Sequence, residues 1–233
     1  KFQQFIQKSL EGYDEIIVKQ HIDIINNIEP VVGWLTENYS ETKQRIIRGT
    51  NGNIENRPMA FFKESAMKLD AAREYIERID IEEKNKNALL FSIVLSMNDV
   101  FNNPNDQKSS LKEWSSKALK PVIFKPPTLI QGIEGEQYNK SIFSFNKEKY
   151  DIVYLDPPYT HRVLYPACYH LNDSIVLWDK PILNYDYALP RPQRACFRNK
   201  SEMDFYSKKT AYSCFNKLFE TFLSCKKIIL SYN

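Results

Sequence analysis

Positions 150–162 read YDIVYLDPPYTHR, and no other stretch restricts the fold of this chain as strongly. Residues 152–155 are four consecutive apolar positions with no polar alternation. That pattern predicts a central strand of a parallel sheet, buried on both faces. The run stops at Asp156, and Pro157 and Pro158 follow. Each proline holds φ near about −65° and lacks an N–H, so the ladder ends there. Pro158 also pushes Pro157 toward extended backbone. In open α/β sheets, ligands bind beyond the carboxyl ends of the strands, which is where Asp156 is placed.

The rest of the chain is consistent with such a sheet. In the first half, Ile16, Ile17, His21, Ile24, Ile25 and Ile28 recur at helical spacing, and Pro30 stops that helix. SAMKLDAAREYIERI and NALLFSIVLSMNDVF read as two more helices, and SSLKEWSSKALK as a short serine-capped one. Between the first two lies a basic stretch with Lys43, Arg45, Arg48 and Arg57 around a GTNGN turn. In the second half, PVIFKPP, KSIFSF and KKIILSYN read as strands, and residues 167–179 and 207–224 as helices. Strand, helix, helix and strand in that order predict an α/β sheet with right-handed crossovers. We divide the chain into a helical region over 1–120 and a catalytic α/β half over 121–233. The chain begins at Lys1 and stops at Asn233 inside a strand pattern, and it reads as a piece of a longer polypeptide.

Composition excludes some function classes. Net charge is only +3 over 233 residues, so a nucleic-acid surface has to come from local clustering. No window approaches the ~18 apolar residues of a membrane span. The four cysteines are far apart, with no C-x-x-C pair, and the three histidines form no ligand spacing. The expectation is a cytoplasmic protein with reduced thiols, no metal and no membrane.

Asp156, the Pro157 carbonyl and the Tyr159 ring together offer two hydrogen-bond acceptors and a stacking face. A planar group with an exocyclic NH2 suits them. Acceptors that draw the amino group toward tetrahedral geometry release its lone pair for attack on an electrophile. Adenine fits, flipped from a duplex at a few kcal/mol and stacked on Tyr159 at about 1–3 kcal/mol. The same physics admits N4 of cytosine, an RNA base or a glutamine amide.

At these residues the chain resembles the N6-adenine-specific DNA methyltransferases, the class with the Dam and FokI-type enzymes. YLDPPYTHRVLYPACYHLNDSIVLWDKP is similar to the catalytic motif and following helix of that class, and SEMDFYSKKTAYSCFNKLFETFLSCKKIILSYN to the segment leading to its SYN strand. NRPMAFFKESAMKLDAAREYIERI and LKEWSSKALKP resemble its inserted helical region. The resemblance implies a Rossmann-like methyltransferase sheet, partial here, with a helical insertion for target recognition. It carries over Asp156, Pro157, Pro158 and Tyr159 as the catalytic loop. It implies S-adenosylmethionine as methyl donor, double-stranded DNA as substrate and a cognate restriction endonuclease as partner. The family's Phe-x-Gly-x-Gly cofactor turn is missing: no two of the six glycines are separated by one residue. Ser141 and Ile142 stand where the family has an acidic cofactor contact, with Asp156 as a further cofactor residue. An alternative consistent with the missing turn is a DNA-binding subunit without its own cofactor site.

For DNA contact, residues 180–200 interleave Lys180, Arg191, Arg194, Arg198 and Lys200 with Tyr185, Tyr187 and Phe197. Arg191, Arg194, Arg198, Lys200 and Arg162 are the expected phosphate-binding residues. Tyr169 and His170, on the helix after the catalytic loop, are expected to pack against the sheet.

Overall fold

The computed structural model describes residues 12–41, 45–48, 54–57, 59–104, 107, 109–128, 132, 136, 138, 140–145, 150–157, 165–187, 189–196, 205, 207 and 209–232. They form a mixed α/β protein in two compact units. One comprises Lys1–Gln137 with Pro166–Cys196, the other Tyr138–Tyr165 with Phe197–Asn233.

The larger unit is helical. Helix α1 (Glu15–Asn27) starts at Asp14, whose carboxylate accepts from the N–H groups of Ile16 at 2.9 Å and Ile17 at 3.1 Å. It buries Val18, Ile22 and Ile25, whereas Ile16 and Ile24 are 71% and 47% exposed. Of the residues at helical spacing, Ile25 is buried and Ile17, His21 and Ile28 are half-buried, and the packed face runs through Val18 and Ile22. A short helix α2 (Trp34–Tyr39) precedes a hairpin of β1 (Arg45–Arg48) and β2 (Ile54–Arg57), with Arg45 opposite Arg57 and Arg48 opposite Ile54. Helices α3 (Lys63–Arg78) and α4 (Glu83–Val100) follow. Their core holds Leu35, Tyr39, Phe61, Leu69, Ile76, Leu89, Ile93, Met97 and Phe101, all fully buried. Asp70 of α3 is buried beneath α2 and takes over the role of its cap. Its carboxylate accepts from Leu35 N at 2.9 Å, Thr36 N at 2.8 Å and Thr36 Oγ1 at 2.7 Å. Gly33 permits that approach, since a Cβ there would lie 2.7 Å from Asp70 Cγ.

Two expected elements of this unit are corrected. Residues 121–128 form no strand. Their backbone groups are taken by side chains instead: Asn26 exchanges two 2.9 Å bonds with Phe124, Ser92 Oγ donates to Lys125 O, and Ser96 Oγ to Ile123 O. With those groups satisfied, no neighbouring strand is needed. Residues 109–120 form no helix but a bend and one turn. Asn102 draws that segment onto itself, donating to Glu113 O and accepting from Ser115 N.

Helices α5 (Tyr165–Cys168) and α6 (His170–Leu177) come next. The unit ends with the antiparallel pair β4 (Leu183–Asn184) and β5 (Arg191–Pro192) and a 3₁₀ turn at Gln193–Ala195.

The smaller unit holds the parallel pair. Strand β3 (Ile152–Leu155) runs beside β6 (Lys227–Leu230), with Ile152 opposite Lys227 and Leu155 opposite Leu230. Helix α7 (Ala211–Thr221) lies between them in sequence. The parallel direction matches expectation, but burial does not: Ile152 and Tyr154 are 61% and 63% exposed, while Leu155 is buried. Ile152 and Tyr154 share the open face, while Val153 and Leu155 on the other pack against the core of the unit. KSIFSF is corrected from strand to a 3₁₀ turn over Ile142–Ser144, closed by Ser144 N and Oγ on the Ser141 carbonyl at 2.9 and 2.7 Å. The core of this unit is Leu155, Phe205, Cys214, Leu218 and Phe222.

Candidate functional site

Asp156 stands exposed immediately after β3, at the carboxyl end of the parallel pair. The ladder below it is complete to the last rung: Ser231 N donates to Leu155 O at 2.9 Å. Pro157 follows, half-buried. On the neighbouring strand end, Tyr232 donates to Phe205 O at 3.2 Å and sets its ring edge-on to Phe215 at 4.7 Å. Both strand ends are thus held from below, which fixes where the Asp156 backbone leaves the sheet. Pro158, Tyr159, Arg162, Arg198 and Lys200 lie outside the described residues, as does Lys43.

Ser141 and Ile142 belong to the same unit as Asp156. Ser141 is exposed, but its carbonyl is engaged by Ser144. Ile142 is half-buried against the core of the unit. Beside them Lys140 lies over the rings of Tyr138 at 4.5 Å and Phe145 at 4.0 Å. Sequence reading missed this cation–aromatic group, whose only signal is three residues spread over eight positions. Asp156 can accept hydrogen bonds from a bound group. Ser141 and Ile142 offer no acidic partner for a ribose, and no glycine pair allows a backbone to approach closely. Among the described residues Asp156 offers a hydrogen-bond acceptor at the strand end, and Ser141 and Ile142 offer no carboxylate. Among the described residues no group of three or more His, Cys, Asp and Glu is arranged to hold a metal ion.

Arg191 and Arg194 lie in the larger unit. Arg194 pairs with Asp179 at 2.7 Å and reaches Ser174 Oγ at 3.2 Å. The Arg191 guanidinium lies 3.7 Å from the centroid of Tyr187, and its buried Nε has no hydrogen-bond partner among the described residues. Burial lowers its pKa, though not enough to discharge an arginine. Lys180 is committed to Glu74, which also accepts from Trp178 Nε1 at 3.0 Å. His170 is fully buried beside Tyr39, ring centroids 6.2 Å apart, with Nδ1 3.0 Å from Ala167 O. Desolvation pushes its pKa down to about 4, and Arg191 and Arg194 add to that, so it is neutral at physiological pH. Both partners belong to the larger unit, a correction to packing on the β3–β6 sheet. Tyr169 is 39% exposed.

The described residues thus form a mixed α/β protein with a carboxylate, Asp156, at the carboxyl end of a parallel strand. Residues 7–226 match the D12 class N6 adenine-specific DNA methyltransferase family, and the chain belongs to it. Over 209 residues it is 31% identical to the type II methyltransferase M.CviAII of Paramecium bursaria Chlorella virus 1, covering 85% of this chain and 61% of that protein. It is 28% identical over 211 residues to the modification methylase LlaI of Lactococcus lactis subsp. lactis, covering 86% and 32%. To the type II methyltransferase M.FokI of Planomicrobium okeanokoites it is 30% identical over 183 residues, covering 75% and 27%. The chain therefore spans between 27% and 61% of the length of these three relatives. No solved structure matches it.

Proposed function

We propose that this chain is the catalytic and target-recognition part of an enzyme that methylates N6 of adenine at a short sequence in duplex DNA. In this reading it is the modification arm of a restriction–modification system in the cytoplasm, beside a cognate endonuclease. The observation that carries it is Asp156 at the carboxyl end of β3, continuing into Pro157–Pro158–Tyr159, in a chain of the D12 family. The Asp156 carboxylate accepts one hydrogen of the adenine amino group and the Pro157 carbonyl the other. Amide-like conjugation of the lone pair with the ring is thereby weakened at the moment of attack. Tyr159 holds the flipped base by stacking. The methyl donor is S-adenosylmethionine, whose sulfonium offers the electrophilic carbon.

In the same reading residues 121–233 belong to a Rossmann-like catalytic domain, and 1–120 are an insertion that reads the target. Arg191, Arg194, Arg162, Arg198 and Lys200 meet phosphates. Arg194 would then exchange Asp179 for a phosphate oxygen, a partner of the same sign. The missing glycine pair favours a second reading, in which another segment or chain supplies the cofactor turn to this one.

The test is methyl transfer from tritiated S-adenosylmethionine to unmethylated genomic DNA, using the natural polypeptide that contains this chain. Label is expected in N6-methyladenosine, with Asp156→Ala slowing transfer by about 10²–10³-fold or more. Label in cytosine would move the substrate to N4. A polypeptide that binds DNA but transfers no label would sink the enzymatic reading and leave the DNA-binding subunit.

A further inference from the structure

A cavity of about 360 Å³ in the larger unit has no role in the reading above. Asn98, Asn103, Gln107, Lys117, Tyr169 and Asn172 are among the residues that line it, and none of the described lining residues is a carboxylate. Four separate stretches of chain contribute: the end of α4, the loop after it, the turn at 116–119 and the start of α6.

The polarity of its wall follows from which groups can only donate. The Leu171 backbone N–H donates to Gln107 Oε1 at 2.8 Å, and Asn172 N approaches the same oxygen at 3.4 Å. The opposite end of Gln107 is therefore its NH2, which donates to Asn172 Oδ1 at 2.6 Å. Asn172, buried and lining the cavity, is left with its own NH2. A second chain of bonds ends the same way. The Lys117 ammonium can only donate, and it does so to Asn103 Oδ1 at 3.1 Å, leaving Asn103 with its NH2. Neither NH2 has a hydrogen-bond partner among the described residues. Both amide oxygens are consumed inside the protein, while the hydrogens and the Lys117 charge remain for a ligand. Gln107 already satisfies the first N–H groups of α6, so the helix terminus is not the attraction. What remains calls for a ligand of several acceptor oxygens and negative charge.

The geometry points to a phosphate group as the occupant, held by Lys117, Asn103 and Asn172. We assign it to the backbone of bound duplex DNA, a step that rests on the DNA-methylating reading. The cavity is roomier than a lone oxyanion requires, and the part-exposed ring of Tyr169 offers a face for the attached sugar.

The test compares the full chain with Lys117→Gln and Asn172→Asp. Duplex affinity is measured at several salt concentrations, and melting temperature with and without inorganic phosphate. Lys117→Gln removes the charge without touching the Gln107 cap, so it stands if Asn172→Asp misfolds. Lys19→Gln, an exposed lysine elsewhere on α1, controls for net charge. The expected result is roughly 5–10-fold weaker duplex binding, with a salt slope shallower by about one, in the cavity variants and not in the control. Unchanged duplex binding, with phosphate raising the wild-type melting temperature and not that of the variants, would keep the phosphate site and assign it to a small phosphorylated ligand. If the variants match wild type in both measurements, the proposal is wrong. A wild-type chain that binds no duplex would count against the DNA-methylating reading, while the phosphate arm would still decide the cavity.

Discussion

The two units secure their polar groups differently. The larger unit encloses its chemistry: Asp70 caps α2 from within the core, Gln107 caps α6, and His170 is buried and neutral. The smaller unit leaves its strand-end carboxylate exposed. Asp156 stands at the end of a two-stranded sheet whose Ile152, Tyr154 and Ile229 are open, over a core of a few large side chains. Buried polar groups demand complete hydrogen bonding, which makes a region rigid and intolerant of change. An exposed carboxylate on a short ladder needs only its strand end held. The contrast is between a unit whose polar groups are enclosed and bonded and one whose Asp156 is exposed at a strand end.

Three measurements sharpen or break that contrast. The largest effect is expected from Phe61→Ala. Phe61 is fully buried against Phe101, ring centroids 5.2 Å apart, and truncation should cost about 3–5 kcal/mol in denaturant unfolding. A cost below about 1 kcal/mol would mean that this core is loosely packed.

The next effect is a pH dependence. His170 is held near 4 in the folded chain, against an ordinary 6.5. Between those values the unfolded chain binds the extra proton and the folded chain does not. Stability is therefore full above about pH 6.5 and is lost as pH falls toward 4, by about 3 kcal/mol in all. His170→Gln should remove that slope in acid unfolding curves, and an unchanged slope would assign it to other groups.

The smallest effect is expected from Ile152→Thr. At 61% exposure it should shift stability by no more than about 0.5 kcal/mol. A loss of about 2 kcal/mol would show that this face is covered in solution and that the two units are more alike than they look.

The features legible in the sequence were those with a local cause. Helices α1 and α3 follow from apolar periodicity, α4 from a long run apolar nearly all round, and the stop of β3 at Asp156 from two prolines. The parallel partner of β3 followed from the order of strand and helix. The failures share a different cause. Residues 109–120 and 121–128 have the composition of helix and strand, yet side chains of Asn102, Asn26, Ser92 and Ser96 take their backbone bonds. Those partners lie up to 98 positions away, beyond any local pattern. Which residues of α1 are fully buried, Val18, Ile22 and Ile25, was decided by the neighbours they pack against.

By itself the sequence determined that Asp156 closes a strand and is followed by two prolines and a tyrosine. Covalent restriction at proline and the period of apolar residues act over a few positions, so they are written locally. Only the tertiary structure decided that β3 is open on one face, that His170 is neutral, that Arg194 is held by Asp179, and that Asn103 and Asn172 turn their hydrogens to a cavity. Burial and hydrogen-bond direction are properties of what surrounds a residue, and folding brings those surroundings together from distant parts of the chain.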